Sequence, residues 1–341
     1  MTIAGDALRP QDLGPPEPPD RERLPDAEEL GAPETPLQQA RRAFRRDRLA
    51  MGGLVVLAVL AVLALLGKAL TEWWVVFDPA AVRLPDKLLP PLSRPSAALP
   101  AELRPEFGIY LLGTDELGRS VFARMLQGAF VSLSIGLVAV GISVTIGVVL
   151  GGLAGFYGQR RIGPLSVDTV IMRFTDVVLC FPTFFLILTV VALLPPSIFN
   201  IMIVIGATSW MGTARFVRAE FLALRERDFV IAAHALGLPA WRIIFRHMVP
   251  NAMAPVFVSA TIDVARAILT ESALSFLGFG VQPPHATWGN ILSDGRLYLF
   301  DAPWLFLVPG AAILIVVLSF NLVGEGLREA TNPKLRKRVA A

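Results

Sequence analysis

Charge is what this sequence has least of. Only 17% of its 341 residues are Asp, Glu, Lys or Arg, while 54% are hydrophobic; soluble domains carry about a quarter charged residues. A soluble core has no room to hide that much apolar surface, whereas a bilayer does. Cysteine occurs once, at Cys180, so no disulfide can form within the chain. Inside its apolar run this residue reads as a small core hydrophobe. Histidine occurs three times, at His234, His247 and His285, in separate segments without ligand spacing, which argues against a metal site. No Gly-x-x-x-x-Gly-Lys-Ser/Thr loop is present to cradle phosphates. An ATP-driven process would therefore need its ATP and Mg on another polypeptide, and no cofactor is expected in this chain. A Gly-x-Ser-x-Gly elbow and a His-Glu-x-x-His pair are also missing, so nothing points to catalysis.

What is present is a series of long uncharged runs. Residues 1–40 stand apart, with eight prolines and nine acidic residues, and read as a disordered tail without the apolar stretch of a signal peptide. Leu49 to Gly67 is uncharged over 19 residues, close to the ~20 that the hydrocarbon core requires. Met125 to Gln159 is uncharged and holds a span over about Val131 to Phe156. Val177 to Ala214 holds 38 uncharged residues, enough for two spans with a turn at Leu194-Pro195-Pro196-Ser197. Pro250 to Leu277 and Leu305 to Val323 complete six expected transmembrane helices in an all-α integral membrane protein.

Orientation follows from the positive charges. Arg41, Arg42, Arg45, Arg46 and Arg48 precede the first span, six arginines lie between Arg215 and Arg246, and Lys334, Arg336, Lys337 and Arg338 close the chain. This pattern puts both termini on the cytoplasmic side. The long loop from Lys68 to Gly128 balances seven basic residues with seven acidic ones, as a translocated loop tolerates. Topology accounts for the basic clusters, so no nucleic-acid partner is expected.

Five features inside this frame carry functional expectations. Gly147, Gly151 and Gly155 share a helix face and admit a close helix neighbour, either as static packing or as a moving contact. Asp263, Arg266 and Glu271 fall within a ~140° arc at ~100° per residue. They either line a translocation path that meets a zwitterionic substrate or form an ion pair between two subunits. Asp168, Arg173 and Asp176 read as an interfacial ion-pair set or a gating element. The outer segment from Gln282 to Asn290, with Trp288, is either a protein contact or a headgroup anchor. The segment from Arg215 to Asn251 is far longer than the ~2–8 residues a helix connection needs. It reads as a helix, a stop at Gly237 and Pro239, and a second short amphipathic helix running into Pro250, with an apolar face that lacks a core of its own.

Ala232-Ala233, Gly237 and Val249-Pro250 resemble the EAA loop of ABC-importer permeases, with Ile231 where that family usually has Glu. Leu112-Gly113-Thr114-Asp115, Gly118-Arg119, Ser132-Leu133-Ser134-Ile135-Gly136 and Trp288-Gly289-Asn290 resemble the dipeptide/oligopeptide C-type permeases, as does Gly324-Glu325-Gly326-Leu327-Arg328. Ser120 and Ala123 depart from the family's usual Asp and Ser. The resemblance covers residues 40–337 and implies a type I ABC-importer permease of MetI-like fold, in the bacterial cytoplasmic (inner) membrane. It also implies a homologous second permease, two cytoplasmic ATPase subunits and an extracytoplasmic substrate-binding protein as partners. Glu226, Asp228, Ala232, Ala233, Leu236, Gly237 and Pro250 would then form the ATPase-coupling loop. The segments become the tail (1–40), a basic segment with the first span (41–71), an outer loop (72–127), the permease core (128–330, coupling loop 215–251) and a basic tail (331–341). The implied cargo is peptide, with nickel chelates, glutathione and opines as alternatives in the same family. An ion-coupled secondary carrier is the alternative from another class, but it has no need of the 215–251 hairpin.

Overall fold

The computed structural model describes residues 36–331, so the acidic tail up to residue 35 and the basic tail beyond Thr331 lie outside it. Helix α1 (Pro36–Arg46) starts within the segment read as tail, where Pro36 leads into a run of helix formers. Asp47 then caps α2 (Arg48–Lys68), accepting the Leu49 and Ala50 amides at 2.9 and 3.1 Å. A wider helical turn over Ala69–Trp73 extends α2 to the outer side. Helix α3 (Val121–Phe156) begins ten residues before the expected span, inside the segment read as outer loop. The extra turns carry Arg124 and Gln127, polar groups that distant segments satisfy: Gln127 accepts the Ala286 amide at 2.9 Å.

A two-residue hairpin of β1 (Arg161–Ile162) and β2 (Leu165–Ser166), with Arg161 opposite Ser166, leads into α4 (Val167–Leu179). Helices α5 (Thr183–Leu193), α6 (Ile198–Ala207) and α7 (Trp210–Arg225) follow. Helix α8 (Asp228–Ala235) and the short α9 (Ala240–Arg242) come next. A π-helical turn over Ile243–Met248 joins α9 to α10 (Val249–Phe276). Helices α11 (Trp288–Gly295) and α12 (Trp304–Thr331) complete the chain.

Among the described residues four helical stretches are long and apolar enough to cross a bilayer: Arg48–Trp73, Val121–Phe156, Ala240–Phe276 and Trp304–Thr331. The pair α4 and α5, bent by 81° at Cys180–Pro182, makes a fifth candidate. Six uninterrupted helices are therefore not what the chain forms. The run from Val177 to Ala214 turns at Leu194–Ser197 as expected, but its arms of 11 and 10 residues are each too short to cross. At 1.5 Å per residue ten residues reach only ~15 Å of a ~30 Å core. Pro182, which lacks an N–H and keeps Phe181 out of the helical region, sets the bend. Cys180 is exposed at that bend instead of packed in the core, its thiol donating to the Asp176 carbonyl at 3.3 Å. The expected helix boundary at Pro250 also fails to appear. The wide turn before it absorbs the missing donor, so α9 runs through into α10.

The core is organised around α3. Helices α6 and α7 follow it in step and in the same direction, through glycines. A Cβ built on Gly206 would lie 2.7 Å from the Ala139 carbonyl oxygen, one on Gly147 2.6 Å from Thr213 Cβ, and one on Gly155 2.5 Å from Phe221 Cβ. Gly151 meets the Ala214 carbonyl, so the glycine face is the seam against α7. On another side of α3, Gly136 receives Ile268 of α10. Helix α12 packs on α2 and α10, with Gly53 against Ser319 and Gly324 against Thr261.

Because lipid tails are as apolar as side chains, such seams depend on close fit. Gly151→Leu is expected to lower the thermal stability of the purified chain by ~1–3 kcal/mol, whereas Gly141→Leu, with nothing within 4 Å of its Cβ position, leaves it unchanged.

Candidate functional site

A cleft of about 760 Å³ opens where α3, the α4–α5 bend, the α6–α7 junction and α10 meet. Its wall is rich in hydroxyls, among them Ser143, Thr183, Thr208 and Ser209, and it carries one pair of opposite charges, Asp263 and Arg266. The α6–α7 junction is broken at Thr208–Ser209. Thr208 Oγ1 donates to the Val204 carbonyl at 2.6 Å and Ser209 Oγ to the Ile205 carbonyl at 2.7 Å, so side chains return hydrogen bonds to the carbonyls beside the break. Irregular backbone within a spanning bundle is tolerated where it is buried in protein or lines a cavity, and this break adjoins the cleft. Arg266 Nη1 approaches Asp263 Oδ1 only to 3.4 Å, and the Arg266 side chain is 76% exposed, which leaves the guanidinium free to meet another group.

Glu271 does not join them. It is fully buried on α10 away from the cleft, accepting Ser275 Oγ at 2.7 Å. Nearby, Gly289 of α11 lies against Ser272 and Ser275. The three charges share an arc on the helix but split between two environments, because α11 folds back and covers the outer end of α10. The same folding back decides the fate of Trp288. It is neither an exposed contact nor a headgroup anchor but fully buried, its backbone amide donating to Ser132 Oγ at 3.2 Å and its indole to the Met125 carbonyl at 3.3 Å. Thr287 and Asn290 form a capping box that starts α11 inside the protein.

On the inner side, α7 ends at Arg225 and α8 stands at the start of the hairpin. Gly237, at φ +72°, closes it with a Schellman arrangement: Leu238 N–H donates to the Ala233 carbonyl at 3.2 Å and Gly237 N–H to the His234 carbonyl at 3.0 Å. Val230 and Ala233 turn inward onto Phe221, Ile243 and Met248. Phe229, Ile231, Ala232 and Leu236 face outward, with Leu236 79% exposed. Glu226, Asp228, Gly237 and Pro250 are exposed as well. The residues expected in the coupling loop thus divide, with Ala233 inside and the other six on the surface.

Asp168 and Asp176 do not pair with Arg173, which is exposed, but with α7. Asp168 receives both Nε and Nη2 of Arg218, and Asp176 receives Arg215 Nη2 at 2.5 Å. These pairs tie the inner end of α4 to the helix that leads into the hairpin.

The largest polar network was not legible in the sequence. Asp115, fully buried, accepts Arg119 Nε at 2.7 Å and Arg124 Nη1 at 2.6 Å, and Arg124 Nη2 donates to Asp294 at 2.9 Å. It locks the outer loop to α3 and α11. A signal existed: Arg124 stands at the very edge of an apolar run and Asp115 sits in the Gly-Thr-Asp motif. Beside it Asp86, buried, accepts Tyr110 Oη at 2.7 Å and the Ser96 amide at 2.9 Å. Burial, with Asp86 next, pushes the Tyr110 phenol up, so it remains a donor. Burial and the neighbouring Asp115 likewise raise the Glu116 carboxyl above its ordinary value. Among the described residues no group of acidic, His and Cys side chains is placed to hold a metal.

Two family models match the chain. The binding-protein-dependent transport system inner membrane component matches residues 147–337, and the N-terminal TM domain of oligopeptide transport permease C matches residues 35–91. The chain belongs to the binding-protein-dependent transport family, and is a multi-pass inner-membrane permease subunit of an ABC importer, not itself an enzyme. Such a permease works with an ATPase and a substrate-binding protein. Among curated relatives it is 37% identical to the dipeptide transport system permease protein DppC of Alkalihalophilus pseudofirmus, covering 89% of this chain and 91% of that protein. It is 39% identical to the di/tripeptide permease DppC of Pseudomonas aeruginosa (89% and 93% covered). It is 34% identical to the oligopeptide permease OppC of Bacillus subtilis (92% and 94% covered). Among solved structures, inward-facing MetNI methionine ABC transporter chains overlay 61% of this chain and 95% of their own length, with 16% identity and a TM-score of 0.46, too loosely to fix helix positions.

The two kinds of ion pair are expected to respond differently to mutation. Arg124→Ala leaves the buried Asp115 with Arg119 alone and cuts the link to Asp294; it is expected to cost ~1.5–3 kcal/mol of stability, while Arg215→Ala at the half-exposed Asp176 pair costs at most ~1 kcal/mol, both read by thermal unfolding in detergent. The raised Glu116 carboxyl favours the folded state fully at pH values below the ordinary carboxyl range. That contribution is lost as pH rises from that range through the raised value. Glu116→Gln is therefore expected to flatten this part of the stability–pH profile and to raise stability at neutral pH relative to wild type.

Proposed function

We propose that this chain forms half of the translocation path of a peptide importer. The supporting observation is the cleft that holds Asp263, Arg266 and several hydroxyls in a largely apolar wall, in a chain similar over nine-tenths of its length to permeases named for dipeptides and oligopeptides. A short peptide is a zwitterion with a polar backbone. A carboxylate and a guanidinium one helical turn apart, with hydroxyls around them, offer each terminus a counter-charge and the backbone hydrogen-bond partners. Nickel chelates, glutathione and opines are the alternatives in the same family, and the relatives' names favour peptide over them. A secondary carrier working alone is set aside by the family.

In this reading the bilayer is crossed six times, with α4–α5 as one bent crossing and α6–α7 as one broken crossing, and both termini are cytoplasmic. A homologous second permease completes the path. Two cytoplasmic ATPase subunits bind ATP and Mg, and an extracytoplasmic binding protein delivers the peptide. The outward face of α8, with Phe229, Ile231 and Leu236, docks on an ATPase. ATPase closure reaches the cleft through α7, which the Asp168–Arg218 and Asp176–Arg215 pairs fasten to α4, and the spans then move as rigid bodies.

Uptake of a labelled dipeptide by the reconstituted complex tests this reading. Asp263→Asn with Arg266→Gln is expected to lower uptake at least about tenfold, about 1.4 kcal/mol or more, with assembly intact. Ala233→Asp with Gly237→Pro is expected to release the ATPase while the chain still inserts. Unchanged dipeptide uptake in the first variant, or nickel or opine uptake in place of dipeptide, would overturn the peptide reading.

A further inference from the structure

Helix α1 has a composition unlike any other helix here. Over Pro36–Arg46 it carries Arg41, Arg42, Arg45 and Arg46 and no acidic residue, and Arg48 follows at the start of α2. At ~100° per residue the four arginines occupy one ~140° arc, while Ala40, Ala43 and Phe44 fall outside it. Arg41, Arg45, Arg46 and Arg48 are exposed; Ala40, Ala43 and Phe44 are half-buried. Phe44 packs on the inner end of α12, since a Cβ built on Gly326 would lie 3.3 Å from Phe44 Cε2. Asp47, the lone residue between α1 and α2, caps the spanning helix.

These facts fix where the arginine face lies. The spanning helix begins two residues after α1 ends, and two residues reach at most ~7 Å. The apolar side of α1 is held against the protein at the membrane edge. With the N-terminus inside, Arg45, Arg46 and Arg48 stand within a turn of the point where α2 enters the bilayer, and Arg41 follows one turn further along the same face. Arginine is the side chain best matched to phosphate, offering a planar fork of donors that stays charged. We infer that α1 is an anionic-phospholipid site, on which Arg41, Arg45 and Arg46 bind headgroups of the inner leaflet and so anchor the inner ends of α2 and α12. The reading needs the chain's placement in the membrane with its N-terminus inside, but not its substrate, so it stands or falls apart from the peptide assignment. The acidic residues of the segment before α1 offer a competing occupant, and the test separates the two.

The full complex, reconstituted in nanodiscs of phosphatidylcholine with about one-third phosphatidylglycerol, would be assayed for retained lipid by native mass spectrometry. Wild type is expected to retain phosphatidylglycerol over phosphatidylcholine. The triple change Arg41→Gln, Arg45→Gln, Arg46→Gln is expected to reduce that preference at least about threefold, and the same three positions changed to Lys to keep most of it. A thermal unfolding midpoint equal to that of wild type in phosphatidylcholine nanodiscs serves as the check that each variant is folded. An equal preference in wild type and the Gln variant overturns the site. So does a preference that emerges in wild type only after deletion of residues 2–34, because the acidic segment would then be what the arginines hold.

Discussion

The contact between α3 and the α6–α7 rod is the constraint on which the rest of this structure depends. Inside a bilayer, burying apolar side chains against one another gains little over leaving them in lipid, so two helices stay together only by fitting closely. Here the fit comes from Gly147, Gly151, Gly155 and Gly206, which let backbone approach backbone in step over several turns. Fixing α7 this way fixes one wall of the cleft, because Thr208, Ser209 and Thr213 reach it from the same rod. It also aims the inner end of α7 at Asp168 and launches the hairpin whose buried side rests on Phe221.

The two ends of the bundle are held by different physics. At the outer end Asp115, Arg119 and Arg124 are buried and mutually bonded, with Asp294 completing the set. In low dielectric such a network is stiff, since parting any member leaves a charge stranded. At the inner end the pairs are half-exposed, screened by water and salt, and replaceable by solvent. The burial of the charges thus makes one end of the bundle stiff and leaves the other compliant.

Between them, the break at Thr208–Ser209 and the bend at Cys180–Pro182 place irregular backbone beside the cleft. Each would be forbidden against lipid, because freed carbonyls need partners. Threonine and serine hydroxyls return bonds to the carbonyls at the first, and polar space adjoins both. The features that make the segment a poor membrane helix are the ones that bring its few polar groups to the cleft.

Much of this was legible in the residues. The long apolar runs located every helix able to cross a bilayer, and the only such run to hold charges, that of α10 with Asp263, Arg266 and Glu271, was legible from its hydropathy. Gly237 ahead of Pro239 announced the end of α8, because the left-handed conformation there is one that a Cβ resists. The glycine spacing on α3 announced a close neighbour but not that it would be α7. Other features were illegible for one common reason. Trp288 became a core residue, Glu271 was parted from Asp263 and Arg266, and Arg124 became the hub of a buried network, each because α11 and the outer loop fold back onto the bundle. Cys180 lay outside the core because a proline two residues on turned the chain. Local chemistry thus determined which segments enter the membrane, where helices stop and which faces are apolar, for those preferences act within a few residues. Only the tertiary structure decided which polar groups face the cleft and which are paired and buried, because that depends on which distant segment arrives to cover them.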